Sequence, residues 1–320
     1  MKKTRPLFFS YSLWLFFSLH GFPGWGQEET RQQLYTAVIP PSPTAAALGK
    51  YGAYQVNGSS GVPAITVPLF EIPGTAMAVP VSLSYHGSGN KVNAIASWVG
   101  LNWSLNAGGV ITRTVVGKQD ESGTGLFALY DAGFEADGFD PRVNEEDYHH
   151  FRAVAKGGWS ADPDRYTFNV MGLSGQFYVG PDRDIHLYSA QNVKIYRVAG
   201  TGFIDRFILE DGQGVRYEFA EKETTSVSTS SDCAVRESSE SYVSSWYLSK
   251  LTYQGDAFYF SYDSARISYD LTTALTQYIR STSYGGCSLG LDECRTSNVV
   301  STHTRQLASI TGPFGTATFT

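Results

Sequence analysis

Six histidines, three cysteines and thirty carboxylates are the side chains with which this chain of 320 residues could hold a metal or move a proton. Most stand apart from one another. The densest group is Glu145-Glu146-Asp147-Tyr148-His149-His150, a donor mixture that could bind a metal and that is more commonly an exposed polar loop. Asp137-Gly138-Phe139-Asp140 suggests a calcium loop, but the acidic residue required four positions before Asp137 is replaced by Gly133. Met171-Gly172-Leu173-Ser174-Gly175 lacks the spacing of a nucleophile elbow. Gly87-Ser88-Gly89 begins like a dinucleotide loop, yet Val92 holds the third glycine position and no βαβ unit surrounds it. Neither an HExxH nor a Walker sequence occurs. Paired carboxylates for glycoside hydrolysis are brought together by tertiary structure, and nothing in the sequence singles out a pair. The sequence therefore assigns no catalytic, cofactor-binding or metal-ligating residue, and the expectation is a protein that is not an enzyme.

Cys287 and Cys294 bracket Ser-Leu-Gly-Leu-Asp-Glu, a short glycine-containing loop that closes easily. A local disulfide between them is expected, leaving Cys233 as a free or intermolecular thiol in a Ser/Thr-rich loop. A zinc site fits poorly, since there is no CxxC and no histidine at ligand spacing from the pair.

The elements that must position these residues are β-strands. Twenty Tyr, nineteen Phe and thirty-three Gly, with only 17% charged residues, describe a β-rich chain with many turns. Net charge is −6 and the basic residues are scattered, which argues against a nucleic-acid partner. Two clean alternating segments open the pattern. Ile65, Val67 and Leu69 share one face, Val79, Val81, Leu83 and Tyr85 another, and Pro73-Gly74-Thr75 turns between them. Pro68 and Pro80 sit on the opposite faces and remove ladder donors, so these strands are expected at an edge or with bulges. Residues 119–164, rich in carboxylates, read as a polar acidic surface insertion with a short helix around Glu145. From 165 to 320 short strands return, with turns at 172–175, 180–182 and 211–214. Hairpin-like units recur at 207–219, 248–263 and 307–319, separated by residues 223–245 and 264–304. The fold class expected is all-β: an antiparallel meander of short hairpins, sandwich-like or open-shelled. Because the last residues alternate as a strand would, truncation at the C-terminus is expected.

The first residues predict export. Met1-Lys2-Lys3-Thr4-Arg5 is positive, Leu7 to Phe22 is apolar, and Gly24-Trp25-Gly26 offers small residues for cleavage. The run is shorter than the ~20 residues of a membrane span and is interrupted by polar ones, so a cleaved signal peptide over 1–26 is favoured over an uncleaved anchor. An extended polar arm, 27–62, would follow, then a β region at 63–118. No later run is long and apolar enough to cross a membrane. The location expected is the periplasm, the outer surface or the medium.

One stretch carries more than composition. Residues 79–113 read VPVSLSYHGSGNKVNAIASWVGLNWSLNAGGVITR. Together with PSPTAAALGKYGAYQVN at 41–57, DPDRYTFN at 162–169 and SSWYLSKL at 244–251, it resembles the N-terminal region of exported Rhs/YD-repeat proteins. The β-rich N-terminal regions of insecticidal toxin-complex subunits are similar over a shorter length. The resemblance implies a non-enzymatic β-scaffold used in surface interaction or toxin encapsulation, with the remainder of a longer Rhs-type polypeptide as its partner. It departs from the family in having no run of YD repeats and no effector segment. Its signature residues here are Tyr85, Trp98, Gly100, Trp103, Leu105, Gly108 and Gly109, read as architecture. Ile95, Trp98, Leu101, Trp103 and Leu105 are expected to supply buried bulk, while the glycines let the backbone bend. A cell-surface carbohydrate-binding module, with surface glycans as partners and aromatic rings stacking on sugars, is the competing reading. A secreted hydrolase ranks third.

Overall fold

In the computed structural model the period-two segments become strands, and they become longer ones than their apolar residues alone suggest. The structure describes residues 55–56, 59, 61–87, 89–90, 94–134, 139–200, 202–231, 238–281 and 289–320. Residues 1–26, expected as a signal peptide, nearly all of the expected polar arm, Cys233 and Cys287 lie outside them, and with Cys287 goes the expected disulfide. The residues from Gln55 to Thr320 group as one unit.

The strands are β1 (Gln55–Val56), β2 (Pro63–Pro73), β3 (Ala78–His86), β4 (Trp103–Asn106) and β5 (Gly109–Thr114), then β6 (Arg165–Val170), β7 (Leu173–Val179) and β8 (Ile185–Leu187). They continue with β9 (Val193–Gly200), β10 (Gly202–Asp211), β11 (Arg216–Ser231), β12 (Ser238–Tyr253), β13 (Asp256–Ser281), β14 (Leu289–Gly312) and β15 (Gly315–Thr318). Two helices, α1 (Leu126–Asp131) and α2 (Glu145–Ala155), separate β5 from β6. The all-β, antiparallel expectation holds: every ladder is antiparallel.

Strands β1 to β4 form a small sheet in sequence order. The expected face of Ile65, Val67 and Leu69 breaks at its last member. An irregularity between Pro68 and Phe70 leaves Leu69 as the extra residue, so Phe70 and Ile72, not Leu69, continue the face and pair with Val81 and Val79. Pro80 lies beyond the end of β4, which pairs β3 only over Ser82 to Tyr85, so its missing N–H costs no ladder bond there.

The main sheet is built on a circuit. Strands β8-β7-β6-β5-β12-β11-β10-β9 follow one another by hydrogen-bonded ladders, and β8 and β9 then approach within 8 Å between Cα atoms without a ladder of their own. Eight strands leave an interior just wide enough for side chains to fill. One face of every strand turns into it. Ile111, Tyr166, Phe168, Phe177, Phe207, Leu209, Phe219, Trp246 and Leu248 are all fully buried. Aromatic rings meet across it: Phe207 lies 5.4 Å from Phe177, 5.6 Å from Tyr166 and 5.0 Å from Trp246, centroid to centroid. Gly109 faces Val170 so closely that an added Cβ would sit 2.5 Å from its methyl, which makes this position glycine by contact.

Two ribbons rise out of the circuit. The described residues of 223–245 and 264–304, read from sequence as spacers between hairpin units, are the outer halves of β11–β12 and β13–β14. Strand β11 makes the junction. It pairs with β10 from Arg216 to Phe219 and then, past irregularities at Phe219 and Glu223, with β14 from Thr224 to Ser231. Serine, threonine and β-branched residues satisfy strand geometry without apolar alternation, which is why they escaped the period-two reading. The β6–β7 connection is also tighter than the expected turn at 172–175. It is a two-residue turn at Met171-Gly172, both with positive φ, and Leu173 begins β7.

Phe207→Ala is expected to cost about 3–5 kcal/mol in urea unfolding, as for other buried aromatics. Trp98→Ala, on the exposed loop before β4, should stay within about 1 kcal/mol. Equal costs would show that the circuit interior is not the core.

Candidate functional site

A groove of about 550 Å³ runs between the small sheet and the main one. Alternation sorts its walls. In β3 and β4 the apolar residues Leu83 and Leu105 pair on one face, which puts Ser82, Ser104 and Asn106 on the other. That polar face, with Pro80 and Trp98, forms one wall; Asn169, Met171, Tyr247, Tyr262 and Arg305 form the opposite one. Tyr247 and Tyr262 lie 5.5 Å apart. Tyr262 donates to the Leu248 carbonyl at 2.8 Å, and Tyr247 donates to Glu223 at 3.0 Å. Burial pushes both phenols up, helped for Tyr262 by Tyr247 and for Tyr247 by Glu223, so they stay neutral donors. Glu223 also accepts from Ser244, Ser245 and Thr304. Arg305 donates to the Lys222 carbonyl at 2.9 Å. The side-chain amides of Asn106 and Asn169 make no hydrogen bond among the described residues. The groove thus offers an indole at its rim, phenol rings within and two disengaged amides, a set suited to binding a polar ring by stacking and hydrogen bonding.

The other concentration of charge closes one end of the strand circuit. Arg113 is in phase with Ile111 on β5, so its side chain points inward. Its guanidinium lies 5.9 Å from the Tyr166 ring centroid. Nε donates to Asp164 at 2.8 Å, Nη1 donates to Glu121 at 2.8 Å, and Nη2 bonds both carboxylates. Asp164 in turn accepts from the backbone N–H of Val116 at 2.9 Å and of Asp120 at 3.3 Å, while its own N–H donates to the Asp120 carboxylate. This network ties 114–121 over the end of the circuit and delivers α1, whose Leu126, Phe127 and Leu129 are buried. The segment expected as a surface insertion therefore supplies part of the core.

The carboxylates of this cluster are set apart by their surroundings. Burial and the neighbouring Asp164 push Asp120 up from 3.8 to about 7. Burial also raises Glu121, but its bidentate pairing with Arg113 outweighs this and holds it below its ordinary value. At the other sheet junction, the N–H of Ala76 holds Asp256 below the ordinary carboxylate range. That carboxylate accepts from Ala76 at 2.6 Å and Met77 at 3.2 Å, and so pins the β2–β3 turn to the β12–β13 turn.

The signature residues are scattered through these features. Trp103 packs against Tyr85 with ring centroids 5.1 Å apart and the planes tilted by 48°, both half-buried. Leu105 is half-buried as well, and Gly108 approaches the Phe260 ring. Gly100 has φ +118, a conformation for which glycine is suited, and Ser97 bonds the Gly100 and Trp103 carbonyls around it. Buried bulk was expected of Trp98, Ile95 and Leu101, and this is corrected: they are 47%, 52% and 37% exposed. The hydrogen-bonded loop at 97–103 leaves them no sheet to pack under. The acidic group at 145–150 forms α2, N-capped by Asn144, with Asp147 accepting from the Asp140 N–H. No three His, Cys, Asp or Glu side chains converge as a metal site among the described residues. None of their helices is long and apolar enough to cross a membrane. The Arg113 cluster was missed from sequence, although its signal was there in the phase of Arg113 with Ile111.

Compared with known proteins, the chain matches no family model, no curated protein and no solved structure.

Because the folded state binds the Asp120 proton more tightly than the unfolded chain does, this residue's contribution to stability is greatest below pH 3.8 and falls as pH rises toward about 7. Asp120→Asn keeps an acceptor for the Asp164 N–H and removes the charge. It should flatten the decline in melting temperature between about pH 4 and 7 and stabilise the protein at pH 8 by about 1–3 kcal/mol. Parallel melting curves at every pH would contradict the assignment.

Proposed function

We propose that the chain is a non-enzymatic, exported β-scaffold module of the Rhs/YD-repeat kind, acting in surface interaction or toxin encapsulation. The observation that supports this best is the hydroxyl-rich sheet of the two ribbons. Across β12, β11 and β14, side chains bond one another: Thr225 with Ser244 and Thr302, Ser226 with Ser241, and Ser231 with Thr296. Such cross-strand pairs stiffen a sheet that has no apolar core of its own. The charged network at the circuit's end fits the same role, because its groups are engaged in holding loops. A second reading, a carbohydrate-binding module, is favoured by the groove with Trp98, Tyr247 and Tyr262.

The two readings separate on a glycan array and a polysaccharide-turnover panel run with the exported chain. The scaffold reading expects neither retention nor turnover. Glycan retention abolished by Trp98→Ala would replace it with the second reading, and polysaccharide cleavage would overturn both. Fractionation of the producing cells should find the chain in the periplasm, on the outer surface or in the medium; a chain confined to the cytoplasm would contradict export.

A further inference from the structure

The ribbon sheet ends on β13, and one edge of that strand lacks a neighbour. Strand β13 pairs with β12 only from Asp256 to Tyr259, while on its other side it pairs with β14 from Tyr259 onward. Among the described residues, the edge of 263–272 that faces away from β14 takes no ladder. Most of its side chains are exposed. Sheet edges of this length are normally blunted by proline, by bulges or by charges, lysine above all; the segment DSARISYDLT has no proline or lysine, and its charges, Asp263, Arg266 and Asp270, are of both signs.

The turn before β13 fixes which amides point outward. Gln254-Gly255 is a two-residue turn with both φ positive, closed by Tyr253 opposite Asp256. Such a closing pair is hydrogen-bonded, so even-numbered residues of β13 direct N–H and C=O away from β14 and odd-numbered ones toward it. This phase runs through Thr272. The irregularity after Ser261 places its extra residue, Ala308, on β14, and the next one comes after Thr272.

We propose that this edge pairs antiparallel with the same edge of a second copy of the chain, about a two-fold axis at Ser268. In that register Arg266 of each copy faces Asp270 of the other, Ile267 faces Tyr269, Ala265 faces Leu271 and Ser264 faces Thr272. Each is a favourable cross-strand combination, and each occurs twice. Sliding by two residues sets Arg266 against Ser268 or Thr272 and leaves Asp270 without a counter-charge. The other opposite-charge combination, Asp263 with Arg266, would join an inward-facing amide to an outward-facing one and cannot form a ladder. Charge and backbone phase thus select a single self-complementary register.

Sedimentation of the exported chain tests this, with circular dichroism confirming that each variant folds. The wild type is expected to dimerise. Arg266→Asp and Asp270→Arg place like charges opposite each other twice, and each should weaken the dimer by about tenfold or more. The double variant R266D/D270R is expected to restore it. Ser268→Pro removes only an outward N–H, so it should abolish the dimer while leaving the β14 ladder intact; should that variant fail to fold, the charge variants decide. A wild type that is monomeric at every concentration overturns the proposal, whatever else it binds. So does a dimer indifferent to the single charge reversals, or one that the double reversal does not rescue.

Discussion

An arginine faces the inside of a strand circuit, and much of the fold is the consequence. Strand geometry leaves Arg113 no choice of side once Ile111 is in the core. A guanidinium cannot be left unpaired in such a place, because uncompensated buried charge costs several kcal/mol. The chain answers by carrying Glu121 and Asp164 to it from both sides of the insertion between β5 and β6. Bringing Glu121 there folds 114–121 across the open end, and α1 follows to bury Leu126 and Leu129. The charge is matched rather than merely tolerated: the guanidinium sits over Tyr166, and the Asp164 carboxylate accepts two further backbone N–H groups. A third carboxylate, Asp120, is raised to about 7 first by its burial and then by the neighbouring Asp164, so it holds its proton more readily than its partners do.

With that end closed, the circuit can serve as a base for the ribbons. Strands β11 and β12 belong to both. On its way outward β11 exchanges β10 for β14, and on its way back β12 gains β5 and then β13. Irregularities in β11 cluster where the exchange occurs, as expected where a strand must bend and twist away from one neighbour toward another. The buried aromatic interior and the hydroxyl-bonded outer sheet are therefore one continuous hydrogen-bonded structure with two different sources of stability.

The sequence made some of this legible and hid the rest for physical reasons. Alternation in 64–69, 79–85, 166–170 and 215–219 gave true strands, because each has one apolar face. Leu69 was misplaced because a bulge shifts phase without leaving a mark in composition. The ribbons at 223–245 and 264–304 were unread because they bury little, and strands without an apolar face carry no period-two signal. Asp137-Gly138 lies outside the described residues, as does Cys287. Trp98 looked like core by residue type alone; its exposure depends on a loop closed by Ser97, information held in tertiary hydrogen bonds. The groove it lines joins residues from β3, β4, β5, β6, β12, β13 and β14, distant in sequence, and no local motif marks it.

If the Arg113 cluster is what closes the circuit, its members act as a unit and not as separate surface pairs. The most direct measurement is a double-mutant cycle of Arg113→Met and Asp164→Asn by urea unfolding. Each single change should cost about 3–5 kcal/mol, since Arg113→Met leaves Asp164 buried without a counter-charge and Asp164→Asn leaves the buried guanidinium to Glu121 alone. The double variant should cost less than the sum by at least about 1 kcal/mol. Costs that add to within about 0.5 kcal/mol, or singles that cost no more than a surface ion pair, would contradict the account.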